Sequence, residues 1–106
     1  MKTLVTLAAI AASLMPVPAT AMDFETWMHS EATKAVVHCE SRGIPTVTNG
    51  PYWGLLQIDV DLHADRIADH GYEPVDMLTE HPNLEVGFSI WQERGWKPWP
   101  SCGRGW

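Results

Sequence analysis

The chain is poor in several features that would each name a class of protein. It holds two cysteines in 106 residues, so Cys39 has only Cys102 as an intramolecular partner. Cations are scarce: past residue 21, six Lys and Arg stand against thirteen Asp and Glu, a formal charge of −7 with the histidines neutral. A surface of that sign repels phosphates instead of releasing their counterions, which excludes nucleic acid as the expected partner. It also gives no attraction toward an anionic membrane or cell wall. The one long apolar run, residues 4–15, is short of the ~20 residues that cross a bilayer, and Pro16 and Pro18 close it off. There are no internal repeats, linkers or low-complexity segments. The five histidines, His29, His38, His63, His70 and His81, lack the spacing of a metal site, so neither a metal nor another cofactor is expected.

What is present begins with the compartment. Lys2, the apolar run and Ala19-Thr20-Ala21 read as a secretory signal peptide over residues 1–21, cleaved to leave Met22 first and no stable membrane insertion afterwards. Residues 22–106 are then one small domain that buries roughly 60 to 65 percent of its unfolded surface. A domain of this size usually needs a staple. In an oxidising compartment Cys39 and Cys102 either supply it, with about 4 kcal/mol from closing so long a loop, or remain two free thiols. Six tryptophans are many for so short a chain. Most are expected in the core, and any surplus is suited to lining a groove that stacks on carbohydrate.

Along the chain, Asp23 can cap a helix whose small and apolar positions (Phe24, Trp27, Met28, Ala32, Ala35, Val36, Cys39) recur with helical spacing. Gly43 and Pro45 end it, which puts Glu40 in the last turn. A helix C-terminus disfavours negative charge, and burial would add to that, raising the carboxyl pKa. Between residues 44 and 58 the turn pair Asn49-Gly50 predicts a short hairpin or ordered loop joining Thr46-Val47-Thr48 to Tyr52-Trp53. Asp61 is expected to cap a second helix running to Gly71, and Asn83 a third that ends at Gly95, with about one turn of helix at residues 75–78 between them. The expected class is mainly α, α+β at most, with three to four helices. Gly87 inside the third helix implies close packing or room for a ligand.

Three features in order, Glu40-Ser41 at a helix end, Gly54-Leu55-Leu56-Gln57-Ile58, and Asn83-Leu84-Glu85-Val86-Gly87, resemble the lysozyme-like transglycosylase (SLT) family. Residues 95–102 match the Gly-Trp-x-Pro-Trp-x-x-Cys ending of its small secreted forms. The resemblance implies a lysozyme-like fold, monomeric, that cleaves the β-1,4 bond between N-acetylmuramic acid and N-acetylglucosamine in peptidoglycan glycan strands. It makes Glu40 the general acid and then base, with Gln57, Asn83 and Thr48 holding the glycan; Tyr52 and Ser41 are expected at the substrate beside them. Thr48 lies one residue nearer the glutamate than the serine usual in the family. An envelope complex or a phage would be the setting for a partner.

A single carboxyl group suffices for this chemistry if the substrate's 2-acetamido oxygen serves as nucleophile; otherwise Asp59 or Asp61 would be the second carboxylate. Two other readings remain open: a lysozyme-type hydrolase, and a module that binds peptidoglycan or a partner without cutting. Gln57, the one polar residue of an apolar group, is either bonded in the core or faces the site. Tyr52 is expected to touch substrate, and Trp96 and Trp99 to pack against the Glu40 helix. His38 has a structural reading at the helix end. Arg42 and Lys97 are the cations expected nearest, either meeting muramoyl or peptide carboxylates or standing as ordinary surface charges.

Overall fold

The structure, a computed structural model, describes residues 21–106. The expected signal peptide therefore lies, but for Ala21, outside the described residues. Among them are four α-helices, one 3-10 helix and a small three-stranded antiparallel sheet, a mainly α arrangement.

Asp23 caps helix α1 (Phe24–Met28), its carboxylate accepting the Thr26 N–H at 2.7 Å. The single long helix expected from Asp23 to the Glu40 region is in fact two, because Ser30 intervenes. Its hydroxyl donates to the Trp27 carbonyl at 2.7 Å and accepts the Thr33 N–H at 3.3 Å. One side chain thus closes α1 and opens α2 (Glu31–Ser41), as serine does where it competes with the helical backbone. Arg42 and Gly43 take left-handed conformations (φ 57° and 76°) and end α2 where the sequence places its end.

The turn at Gly50 and Pro51 joins β1 (Thr48–Asn49) to β2 (Tyr52–Trp53), with Thr48 opposite Trp53. Pairing starts at Thr48, later than the expected Thr46. A third strand, β3 (Ile58–Asp59), pairs with β2 after a turn whose last residue, Gln57, has φ 50°. Two-residue strands carry no alternation, so the sequence pattern could not announce it.

Asp61 does not cap the next helix. The Asp59 carboxylate accepts the N–H groups of Asp61 and Leu62 (3.1 and 3.0 Å), holding a turn that delays helix α3 to Ala64–Asp69. The 3-10 helix η1 (Pro74–Leu78) covers the single turn expected there. Helix α4 (Glu80–Arg94) then begins a turn earlier than the Asn83 start read from the sequence. Pro82 falls in its first turn, where a missing N–H breaks no helical bond. Gly95, with φ 63°, ends it as expected.

The core joins all four helices, η1 and the segment from the β2–β3 turn through Val60. Trp27, 1% exposed, packs its ring against Phe88, Trp91 and Trp96 with centroids 5.3 to 5.9 Å apart. A Cβ at Gly87 would collide with the Leu56 side chain, so the missing side chain is what lets α4 approach that turn. Five tryptophans are buried or partly buried and Trp106 is exposed, which puts most of them in the core as expected.

Candidate functional site

Glu40 sits in the last turn of α2, half-buried, and borders a recess of about 400 Å³ with Tyr52, Gln57, Pro98, Trp99 and Pro100. Among the described residues no cation lies within ion-pair distance of its carboxylate and no hydrogen bond to it is formed. Burial pushes its pKa above the ordinary glutamate value. The carbonyl end of the helix adds to that in the same direction. The result is a carboxyl group with an open approach and no partner that holds it ionised, the arrangement a general acid needs.

Two walls of the recess come from segments distant in sequence, and both are fixed through the peptide of Leu56. Its N–H is accepted by the Asn83 side chain of α4 at 3.0 Å, and its carbonyl accepts the indole N–H of Trp99 at 2.8 Å. The Asn83 amide also donates to the carbonyls of Trp53 and Met77, both at 2.9 Å. Asn83 is thereby fully buried and its hydrogen-bonding groups are occupied. The expectation that Asn83 touches substrate is corrected: it positions the Gly54-Leu55-Leu56-Gln57 turn from behind. Gly54 must be glycine for the same reason. Its φ is 80°, and a Cβ would strike the Met77 carbonyl and the Asn83 amide.

Gln57 fulfils both alternatives left open for it. Its amide donates to the Val47 and Gly54 carbonyls (3.2 and 3.0 Å) and accepts from Asn49 at 2.8 Å, which clamps the sheet end, while the residue lines the recess. Tyr52 is half-exposed and lines the recess too. Ser41 is not available to substrate. It is 4% exposed, and its hydroxyl donates to the Val37 carbonyl and accepts the Gly43 N–H, so its work is ending the helix. Thr48 is exposed on β1 and is not among the residues that line the recess with Glu40.

Beyond Tyr52, Gln57, Pro98 and Trp99 the recess continues into a second hollow of about 170 Å³ bordered by Asp59, His63 and Arg94. Burial, with Arg66 nearby, lowers the His63 pKa. Asp59, one of the two carboxylates considered as a second catalytic group, is here but already accepts two backbone N–H groups; Asp61 is exposed. The sequence pattern does not single out His63 and Arg94, which carry no local signal. It gives Trp99 a packing role, and the buried ring both packs and walls the recess. Among the described residues no three His, Cys, Asp or Glu side chains converge as a metal site does, and no helix is long and apolar enough to cross a membrane.

The Cys39–Cys102 disulfide is present, with Cα atoms 5.6 Å apart across 63 residues of sequence. It ties the residue before Glu40 to the tail that supplies Pro98, Trp99 and Pro100, and it fits maturation in an oxidising compartment. Cys39 is exposed, so a reductant reaches the bond. Cys102→Ser should lower unfolding free energy in urea by about 4 kcal/mol, the chain-entropy value for a loop of this length. Unchanged stability would mean that the tail is held by Trp99 alone.

No protein-family profile, curated protein or solved structure matches this chain.

Proposed function

We propose that the chain is an exported lytic transglycosylase with a lysozyme-like domain, cutting the β-1,4 bond between N-acetylmuramic acid and N-acetylglucosamine in peptidoglycan. The observation that carries the proposal is the Glu40 carboxyl: half-buried, without a cation or hydrogen-bond partner among the described residues, raised in pKa, and open to a recess walled by aromatic and amide groups. The order of Glu40-Ser41, Gly54-Leu55-Leu56-Gln57-Ile58 and the Asn83-to-Gly87 helix supports the same reading.

In this proposal protonated Glu40 gives its proton to the glycosidic oxygen as the C1–O bond breaks, and N-acetylglucosamine leaves with a 4-hydroxyl. The acetamido oxygen of the muramoyl sugar bonds to C1 in its place. Glu40, now a carboxylate, takes the proton of the muramoyl 6-hydroxyl, whose oxygen attacks C1 and displaces the acetamido oxygen. The product is a 1,6-anhydro sugar and Glu40 is protonated again. The protein works as a monomer on glycan strands after leader removal, with an envelope complex or a phage as the setting for any partner, and without nucleic acid or a membrane span. Tyr52, about half exposed, offers sugar-stacking surface beside the acid.

Asp59 gives the hydrolytic reading one specific observation, a carboxylate in the adjoining hollow. Mass spectrometry of soluble products separates the two, since an anhydro end is one water lighter than a reducing end. The proposal expects anhydro ends. Reducing ends would move the chain to the lysozyme-type hydrolases, and co-sedimentation with wall but no soluble sugar would make it a binding module.

A further inference from the structure

Residues 94–106 hold three cations, Arg94, Lys97 and Arg104, and no acidic side chain, whereas all thirteen Asp and Glu lie at or before Glu93. Half of the cations past residue 21 are thus gathered on the last thirteen residues of an otherwise acidic chain. Lys97 and Arg104 border one recess of about 360 Å³, together with Trp96 and Trp106, and Trp106 is 58% exposed. Among the described residues neither cation lies within ion-pair distance of a carboxylate, while Arg66, by contrast, is paired with Glu93. The recess shares Trp99 and Pro100 with the recess of Glu40, so the two adjoin along that rim of the tail.

We infer that the Lys97–Arg104–Trp106 recess is a subsite for the carboxylates of the peptide substituents carried by the glycan. This rests on the proposed function for the identity of the glycan, but its own claim is about charge. The sugar backbone of peptidoglycan is uncharged apart from the lactyl group, which in the intact wall bears peptides with free carboxylates. Residues 22–106, at net −7 (six Lys and Arg against thirteen Asp and Glu), repel such a polymer over most of their surface. The tail is where it attracts one, through a guanidinium that can grip a carboxylate with two N–H groups and a lysine that acts as a point charge. The exposed indole supplies apolar surface for the peptide stem. A bound peptide there places the adjoining sugar in the recess of Glu40.

The test compares wild-type protein with the Lys97→Ala/Arg104→Ala double variant on wall glycan bearing its peptides and on the same glycan stripped of them by an amidase. The double variant should show KM raised about tenfold on the peptide-bearing glycan with kcat unchanged, and a clearly smaller rise on the stripped glycan, where the amidase leaves only the lactyl carboxylate. The same two substitutions placed in Glu40→Gln protein read binding by co-sedimentation without cleavage, with Lys34→Ala as a charge control on exposed α2 surface. Retention of peptide-bearing wall should weaken with added salt and with loss of Lys97 and Arg104, and not with loss of Lys34. Equal binding by the double variant, equal weakening on stripped glycan, or equal weakening by Lys34→Ala overturns the inference. Charge-dependent binding at this recess by a protein that cleaves neither glycan would uphold the inference and remove the proposed activity.

Discussion

Asn83→Ala should cost the domain most of its stability, on the order of 4 kcal/mol of the roughly 5 to 10 kcal/mol typical for a domain this small. The change deletes three hydrogen bonds at once, stranding the buried Leu56 N–H and Met77 carbonyl and taking a donor from the partly buried Trp53 carbonyl. Stranded buried groups cost more than the bonds themselves contributed. Asn83→Asp is more informative than alanine. Its first oxygen still accepts from Leu56, but the second faces two carbonyl oxygens, so the buried charge has no donor to settle it and the pKa of the new carboxyl is raised in the folded state. A raised folded pKa means stability that is full below the unfolded value and is lost as pH rises through the folded one. Asn83→Asp should therefore be the less stable of the two at pH 7 and gain on alanine as the solution is acidified. Urea titrations at pH 4 and pH 7 check both statements, and a loss under 1 kcal/mol for Asn83→Ala would show that the turn is held by something else.

Glu40→Gln should leave the fold intact, make it slightly more stable at neutral pH, and remove catalysis. A glutamine keeps the shape of the side chain and lacks the charge that burial penalises. Because the folded pKa of Glu40 lies above its unfolded value, the wild-type chain is at its most stable below the unfolded pKa and gives up part of that stability as pH rises through the folded pKa. The advantage of glutamine should thus be present at pH 7 and vanish below about pH 4, a pattern read from melting temperatures across that range. Activity should follow the opposite ordering, with the wild-type rate falling as pH rises through the same raised pKa and the variant slower by about 10² to 10⁴. A variant less stable than wild type at pH 7 would mean that Glu40 is a structural group.

How much of this is legible in the chain alone depends on whether the feature is local. The end of α2 at Arg42 and Gly43, the turn at Gly50, the end of α4 at Gly95 and the single turn near residues 75–78 each follow from one or two residues with restricted backbone chemistry. The bond between the two cysteines and the place of Glu40 in a last turn are equally legible. Asn83 misleads because an asparagine after a proline has the local look of a helix cap. Its actual partners lie 6, 27 and 30 residues away and are all backbone groups, which leave no mark in a pattern of side chains. Ser30 escapes notice because a serine between apolar positions does not interrupt their spacing, although its hydroxyl interrupts the helix. The recess itself is invisible for the same reason as Asn83. Its walls come from α2, β2, the Gln57 turn and the tail, and no stretch of sequence contains it.

Whether Glu40 is a catalytic acid is decided by the release of soluble glycan from a purified cell-wall suspension by wild-type and Glu40→Gln proteins, measured together with the melting temperature of each. Clearing and anhydro-ended products are expected from the wild type, and no clearing from a folded Glu40→Gln protein. Equal release by both proteins, or none by either, would contradict that role.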